Sequence, residues 1–260
     1  MEIRGQAERD CLLVEGADIP GENLITRACR YLRAKYADKP LPPLDMRLEK
    51  HLPMGSGIGA GSGNAAALLR WFFSEHALND PSGACGAASI GTDVAFLASD
   101  YDLAIAEGIG EKLEGLDEPG GLDLSAVILF PEWRSDTAEA YASLDGVREE
   151  GPPPLDLSDA REESFSVLRG LKERKRLGLL PNDFIACASK YRERYDMLYG
   201  IMEKAGALAW GLCGSGSSCF ALFDDKDGKN GKDAISRFMH YVEPEGSSRF
   251  SWLHKTLILE

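Results

Sequence analysis

The apolar positions of this chain fall into short runs of two different periods. Residues 1–15 alternate weakly, and Cys11-Leu12-Leu13-Val14 is the best strand in them. From Asn23 onward, Leu24, Ile25, Ala28, Cys29 and Leu32 share one helical face, with Asn23 placed to cap it. Lys39-Pro40-Leu41-Pro42-Pro43 stops that helix, and Met46-Arg47-Leu48-Glu49-Lys50 alternates as a strand does. Leu68, Leu69, Phe72 and Phe73 return to helical spacing behind a glycine-rich stretch, and residues 81–90 form a second helix-like pattern. Ala104 to Gly108 reads as strand and turn. Leu124 to Phe130 reads as a buried strand, and Arg148 to Asp156, with Pro152-Pro153-Pro154, as an exposed loop. Helical patterns follow at 158–177, 185–204 and 230–241. Between the last two, Trp210 to Phe223 forms two strand halves around a glycine turn. Strands and helices are mixed rather than strictly alternating, which favours α+β over a doubly wound sheet.

Length and charge narrow the possibilities. At ~150 residues per domain, 260 residues suggest one large domain or two modest ones, with the best seam near residue 123. The chain carries 29 basic and 42 acidic residues, a net charge of −13. That balance disfavours nucleic acid and anionic membrane as partners. No run approaches the ~18 apolar residues of a spanning helix, and Met1 to Gln6 lacks a signal-peptide pattern; a cytoplasmic protein is expected. Six scattered cysteines without a CxxC pair, and His51, His76, His240 and His254 without ligand spacing, predict buried reduced thiols and no protein-held metal.

The most informative segment runs Pro53-Met54-Gly55-Ser56-Gly57-Ile58-Gly59-Ala60-Gly61-Ser62-Gly63-Asn64, then enters the Ala-rich helix. Glycine at every second position allows positive φ and close backbone approach, so the N–H groups can turn inward on an anion, and a helix N-terminus adds partial positive charge. A Walker A loop is excluded, because Gly63-Asn64-Ala65 stands where Gly-Lys-Ser/Thr is required. Gly55, Gly57 and Ala60 fit a dinucleotide G-x-G-x-x-A only weakly, with Pro53 at the strand-to-loop junction. A plain flexible linker would not run straight into an amphipathic helix.

These residues resemble the phosphate loop of the GHMP kinases, whose usual Gly-Ser-Ser-Asn-Ala-Ala has Gly63 here in place of its second Ser. Further segments support the resemblance in order: Glu22-Asn23-Leu24-Ile25, Gly91-Thr92-Asp93-Val94-Ala95-Phe96 (with Ala95 where Pro is usual), Ala106-Glu107-Gly108-Ile109-Gly110-Glu111, Ser135-Asp136-Thr137-Ala138-Glu139-Ala140-Tyr141, Asn182-Asp183-Phe184 and Gly214-Ser215-Gly216-Ser217. Within the family they look most like the branch that phosphorylates a diphosphocytidyl-methylerythritol for non-mevalonate isoprenoid synthesis.

The resemblance implies an α+β, two-domain fold: an ATP-binding domain over residues 1–122, like domain 2 of ribosomal protein S5, and a ferredoxin-like domain over 123–260. The family's opening Pro-Ala-Lys-x-Asn-Leu strand and Asp-Gly-Tyr/Phe-His segment have no counterpart here, so the first domain is expected to be incomplete at its start. The resemblance also implies ATP with Mg²⁺ as co-substrate, held by Pro53 to Asn64, with Ser62 the better phosphate or metal contact and Asn64 a helix cap. Asp93 is the expected general base, the alternative being a helix cap. Thr137 and Tyr141 are expected at the substrate's cytosine, the alternative being packing. Gly214 to Ser218 either approaches the phosphates or is a plain strand turn, and Glu107 is expected to be structural. A small-molecule substrate and a monomer or weak homodimer complete the expectation. Another GHMP kinase, on a sugar, homoserine or mevalonate, and a non-catalytic remnant are the alternatives.

Overall fold

A computed structural model describes residues 1–16, 21–39, 41–78, 83–116, 122–151, 155–226, 230–243 and 250–259. Pro40 and Pro152 to Pro154 lie outside the described residues, as do residues 81 and 82 at the head of one expected helix. The chain forms two units. The first comprises Met1–Met54 and Gly59–Glu118, and the second comprises Gly55–Ile58 and Pro119–Glu260. The break between residues 118 and 119 lies close to the expected seam near residue 123, while four glycine-loop residues group with the second unit rather than the first.

In the first unit, β1 (Glu2–Gln6), β2 (Cys11–Glu15) and β3 (Leu44–Glu49) form a sheet in the order β1-β3-β2. β1 runs antiparallel and β2 parallel to β3. The period of two in β3 buries Leu44, Met46 and Leu48 and turns Asp45, Arg47 and Glu49 outward. Helix α1 (Leu24–Lys35) starts at Asn23, whose side chain accepts from the Ile25 N–H, and it buries Ile25, Ala28, Cys29 and Leu32. Helix α2 (Ala60–Glu75) buries Ala65, Ala66, Leu68, Leu69 and Phe72 in the same core. The short α3 (Gly83–Ala88) and α4 (Val94–Ala98) follow, then the hairpin β4 (Ala104–Glu107) and β5 (Lys112–Gly115).

The second unit is built on β6 (Leu124–Pro131), the apolar run expected to be buried. Helices α5 (Thr137–Glu150) and α6 (Leu157–Lys172) come next, then the two-residue β7 (Gly178–Leu179). Where the sequence suggests one helix over 185–204, a 3-10 segment over Asp183–Tyr191 kinks at Ala188 before α7 (Arg192–Ala205). β8 (Ala209–Leu212), β9 (Cys219–Asp224), α8 (Asn230–Val242) and β10 (Leu253–Leu259) complete it. The sheet order is β10-β6-β9-β8-β7, antiparallel except for the β7–β8 pair. Its core joins Val127 and Leu129 of β6 to Ala221 and Phe223 of β9, Leu198 and Met202 of α7, and Phe238 of α8. Among the described residues no helix is long and apolar enough to cross a membrane.

Candidate active site

In the first unit the glycine segment is more helical than its composition suggests. Gly59 is the N-cap of α2 at φ 68°, so Ala60, Gly61, Ser62, Gly63 and Asn64 are already helix, and Asn64 is no cap. The Gly63 N–H donates to the Gly59 carbonyl at 2.9 Å, closing the first turn. Glycine costs ~1 kcal/mol per helical position relative to Ala, and burial of the following Ala65, Ala66 and Leu68 offsets it. A side chain at Gly63 would meet nothing within 4 Å, and one at Gly61 only Leu24 Cδ1 at 3.8 Å. Packing therefore does not require these two glycines. They leave a bare helix end whose first N–H groups have no partner within the helix, the arrangement that receives an anion.

Asp93 lies at this helix end. A Cβ built on Gly59 would sit 3.5 Å from its Oδ2. Asp93 occupies the N-cap position of α4, but its side chain makes no capping hydrogen bond. The carboxylate instead accepts from the Thr92 hydroxyl at 3.4 Å. The capping alternative thus fails on geometry, leaving an exposed carboxylate beside a helix N-terminus. The turn after β4 braces it, because Gly110, at φ 90°, approaches so closely that a Cβ there would be 2.5 Å from the Thr92 carbonyl oxygen. Within that turn the Glu111 carboxylate accepts from its own N–H and from that of Ile109 (2.6 Å), which holds its pKa below the usual carboxylate range. Ser62 Oγ lies near Gly91, 3.7 Å from where a Cβ would stand there.

In the second unit, Gly55 to Gly57 dock on the turn between β8 and β9. The Gly55 carbonyl accepts from the N–H groups of Ser135 (3.2 Å) and Ser217 (3.3 Å), and the Ser56 carbonyl from Ser218 N–H (3.0 Å). Gly57, at φ 78°, is close enough that a Cβ would fall 2.0 Å from Cys213 O and 2.6 Å from Gly216 O. Residues 213–218 are therefore more than a plain strand turn, since they carry part of the glycine segment itself.

Thr137 is the first residue of α5, behind Asp136, whose side chain accepts from the Glu139 N–H at 3.0 Å. Tyr141, one turn later, is 55% exposed and meets Phe184 edge-on at 5.0 Å. A ring so open is not core packing. A cleft of about 270 Å³ runs beside it, lined among others by Trp133, Ser135, Glu139, Lys190, Tyr191 and Ser215. Its walls come from three stretches far apart in the chain, 133–143, 184–195 and 212–217, so no single window along the sequence contains it. Of the six cysteines expected to be buried, Cys29 and Cys219 are, Cys187 and Cys213 are half-buried, and Cys11 is exposed on β2, an edge strand, while the Cys85 side chain lies outside what the structure describes.

A glycine segment that opens a helix, a carboxylate beside that helix end and an α+β frame accord with one class of small-molecule kinase. The descriptions "GHMP kinases N terminal domain" and "GHMP kinases C terminal" match residues 23–128 and 168–240, and the chain belongs to the GHMP kinases. Among its relatives is the 4-diphosphocytidyl-2-C-methyl-D-erythritol kinase of Mesorhizobium japonicum, 32% identical over 84% of this chain and 72% of its own length. The protein of that name from Caulobacter vibrioides (strain NA1000 / CB15N) is 35% identical over 80% of this chain and 70% of its own. A crystal structure of 4-(cytidine 5'-diphospho)-2C-methyl-D-erythritol kinase has the same fold, with a TM-score of 0.66 at 24% identity, covering 96% of this chain and 82% of that one. Homoserine kinase from Cytophaga hutchinsonii shares it at a TM-score of 0.59 and 18% identity, over 99% and 83% of the two chains.

Proposed function

We propose that this chain transfers the γ-phosphoryl group of ATP to the 2-hydroxyl of 4-diphosphocytidyl-2-C-methyl-D-erythritol, a step of non-mevalonate isoprenoid synthesis. The observation that carries the proposal is the placement of Asp93: exposed, not spent on capping, and beside the bare N-terminus of α2. Phosphoryl transfer needs chiefly positioning and charge neutralisation. The residues from Pro53 to Asn64 would hold the ATP phosphates, through backbone N–H groups and the first turn of α2. Asp93 would accept the proton of the attacking hydroxyl as the new P–O bond forms and ADP leaves.

Mg²⁺ is usually held by one or two protein oxygens together with substrate phosphates. The residues present fit that pattern, with the Ser62 hydroxyl in the first turn of α2 as a protein oxygen for it. When bound, the ion would neutralise phosphate charge. Tyr141 supplies an open ring on which a cytosine can stack, and Thr137 a hydroxyl at the start of the same helix. The relatives' names favour this alcohol over the sugars, homoserine or mevalonate taken by other kinases of the family.

The test is ADP release by the chain, with and without the diphosphocytidyl alcohol, beside Asp93→Asn. Substrate-dependent release that falls about 10²–10⁴-fold in Asp93→Asn, with ATP binding retained, is expected. Equal turnover in the variant would refute the role of Asp93. Release driven equally by homoserine or mevalonate would refute the substrate.

A further inference from the structure

The Asn182-Asp183-Phe184 motif has no part in the chemistry above, yet the Asn182 side chain has two backbone partners far along the chain. Its Nδ2 donates to the carbonyls of Leu212 (3.1 Å) and Gly214 (2.9 Å). Its Oδ1 accepts from the Phe184 N–H at 2.9 Å, which fixes which end of the amide faces the turn. Ser135 Oγ donates to the Ser215 carbonyl at 2.8 Å. Tyr195, 5% exposed, donates its hydroxyl to the Ser217 carbonyl at 2.8 Å and accepts from Trp133 Nε1 at 3.1 Å. The Cys213 carbonyl is taken by Gly216 N–H at 2.8 Å. Five of the six carbonyls from Leu212 to Ser217 thus have a fixed donor, and three side chains supply four of those bonds.

Tyr195 holds the carbonyl of the Ser217–Ser218 peptide and so sets the direction of the Ser218 N–H, and with the Ser217 N–H beside it two donors of the turn reach the glycine segment. Ser217 and Ser218 N–H bind the carbonyls of Gly55 and Ser56, and Ser135 adds its own N–H to Gly55. In a trans peptide the N–H points opposite the C=O of the same plane. With the carbonyls of Gly55 and Ser56 turned toward the 213–218 turn, the N–H groups of Ser56 and Gly57 face the other way. Two outward N–H groups on successive residues make the concavity that binds an anion.

We infer that Asn182, Ser135 and Tyr195 are positioning residues for the nucleotide: they clamp the turn that aims the Ser56 and Gly57 N–H groups at the phosphates. The inference rests on the proposal that the glycine segment holds ATP, and it assigns affinity to three side chains that the chemistry itself does not use. The sequence separations involved, from 22 to 80 residues, explain why no local pattern announces them.

The test uses the full chain with Asn182→Ala, Ser135→Ala, Ser135→Thr and Tyr195→Phe. KM for ATP, KM for the alcohol and kcat are measured, together with the affinity for a fluorescent ATP analogue and the melting temperature. Loss of a clamping bond is expected to raise KM for ATP and weaken the analogue about 5-fold; KM for the alcohol is expected to stay unchanged in Asn182→Ala, whose side chain does not line the cleft beside Tyr141, and Ser135→Thr restores what Ser135→Ala loses. The inference is overturned if folded Ser135→Ala and Asn182→Ala bind the analogue like the parent, or if both KM values rise together in Asn182→Ala. A parent chain that binds the analogue but phosphorylates no alcohol sinks only the substrate proposal, because the ranking of variants still decides this one. A parent chain that binds no analogue sinks both.

Discussion

Replacing Gly57 by Ala tests the glycine segment at its tightest point. The new Cβ would stand 2.0 Å from the Cys213 carbonyl oxygen and 2.6 Å from that of Gly216, against the 3.4 Å at which ordinary contact begins. Both neighbours are backbone, so no side chain can rotate away. The positive φ of 78° adds ~1–2 kcal/mol for an L-residue. Separating the two strips also gives up the bonds from Ser217 and Ser218 N–H to Gly55 and Ser56, at ~1 kcal/mol each. The sum, about 3–4 kcal/mol, opposes docking of the strip, and if ATP binds only the docked form its hold weakens by up to roughly 100- to 1000-fold, since 1.4 kcal/mol is tenfold. Titration calorimetry with ATP measures it, with near-UV circular dichroism to show that the second unit stays folded. Gly63→Ala is the contrasting change: it meets nothing within 4 Å and lies inside α2. It is expected to raise stability by about 0.5–1 kcal/mol in urea. Gly57→Ala binding ATP within about threefold of the parent would refute the docking of Gly57 as the source of the phosphate site, given that threefold is only ~0.7 kcal/mol.

Further outcomes follow from Tyr141 and the thiols. Tyr141→Ala removes an exposed ring and is expected to raise KM for the diphosphocytidyl alcohol about 2- to 10-fold, an aromatic stack being worth ~0.5–1.5 kcal/mol, while KM for ATP stays put; equal rises in both would remove Tyr141 from the substrate site. Iodoacetamide at pH 8 is expected to label exposed Cys11 rapidly in the folded chain and to spare Cys29 and Cys213, whose thiols are pushed up to about 11 and about 12, by burial (with the Asp10 carboxylate adding to it at Cys29). Because those folded values lie above the ordinary 9.0, the stability they contribute is complete below pH 9 and is lost as pH rises toward 11 and 12. The urea midpoint should therefore decline above pH 9, and a flat midpoint to pH 11 would contradict it.

Local signals carried much of the fold. Asn23 ahead of a helical apolar face marked α1, and the run from Leu124 to Phe130 marked the strand at the heart of the larger sheet. The paired apolar runs around Gly214 and Gly216 marked β8 and β9. Errors came where a residue's intrinsic preference competed with packing. Asn64 is a better cap than glycine on propensity alone, yet α2 begins at Ala60 because the alanines and leucines behind it have a core to fill. The 3-10 segment before α7 has helical spacing but a non-helical Ala188 at its kink. β10, with His254, Lys255 and Thr256 in its first half, offers too little alternation to stand out, and it becomes a strand through six registered pairs with β6. At the site, Asp93 reads as a cap from sequence alone and is singled out by the resemblance. Its freedom from capping is set by how the backbone turns from Thr92 into α4, which residue identity does not encode. Asn182 and Tyr195 act through bonds spanning tens of residues, which no window along the chain can contain.

The passage of Gly55–Ile58 out of the first unit and back has a consequence for dissecting this protein. A single cut near residue 118 does not yield two self-sufficient halves. A fragment starting at Pro119 would lose the strip that covers residues 213–218, exposing the N–H groups of Ser217 and Ser218 to water. Recombinant halves would need that tetrapeptide restored in trans, and a tail of this kind could not be grafted onto a foreign head without also rewriting four residues inside the head. The loop therefore makes 55–58 and 213–218 one packing unit: a side chain added at Gly57 meets the carbonyls of Cys213 and Gly216, though the two segments lie more than 150 residues apart in the sequence.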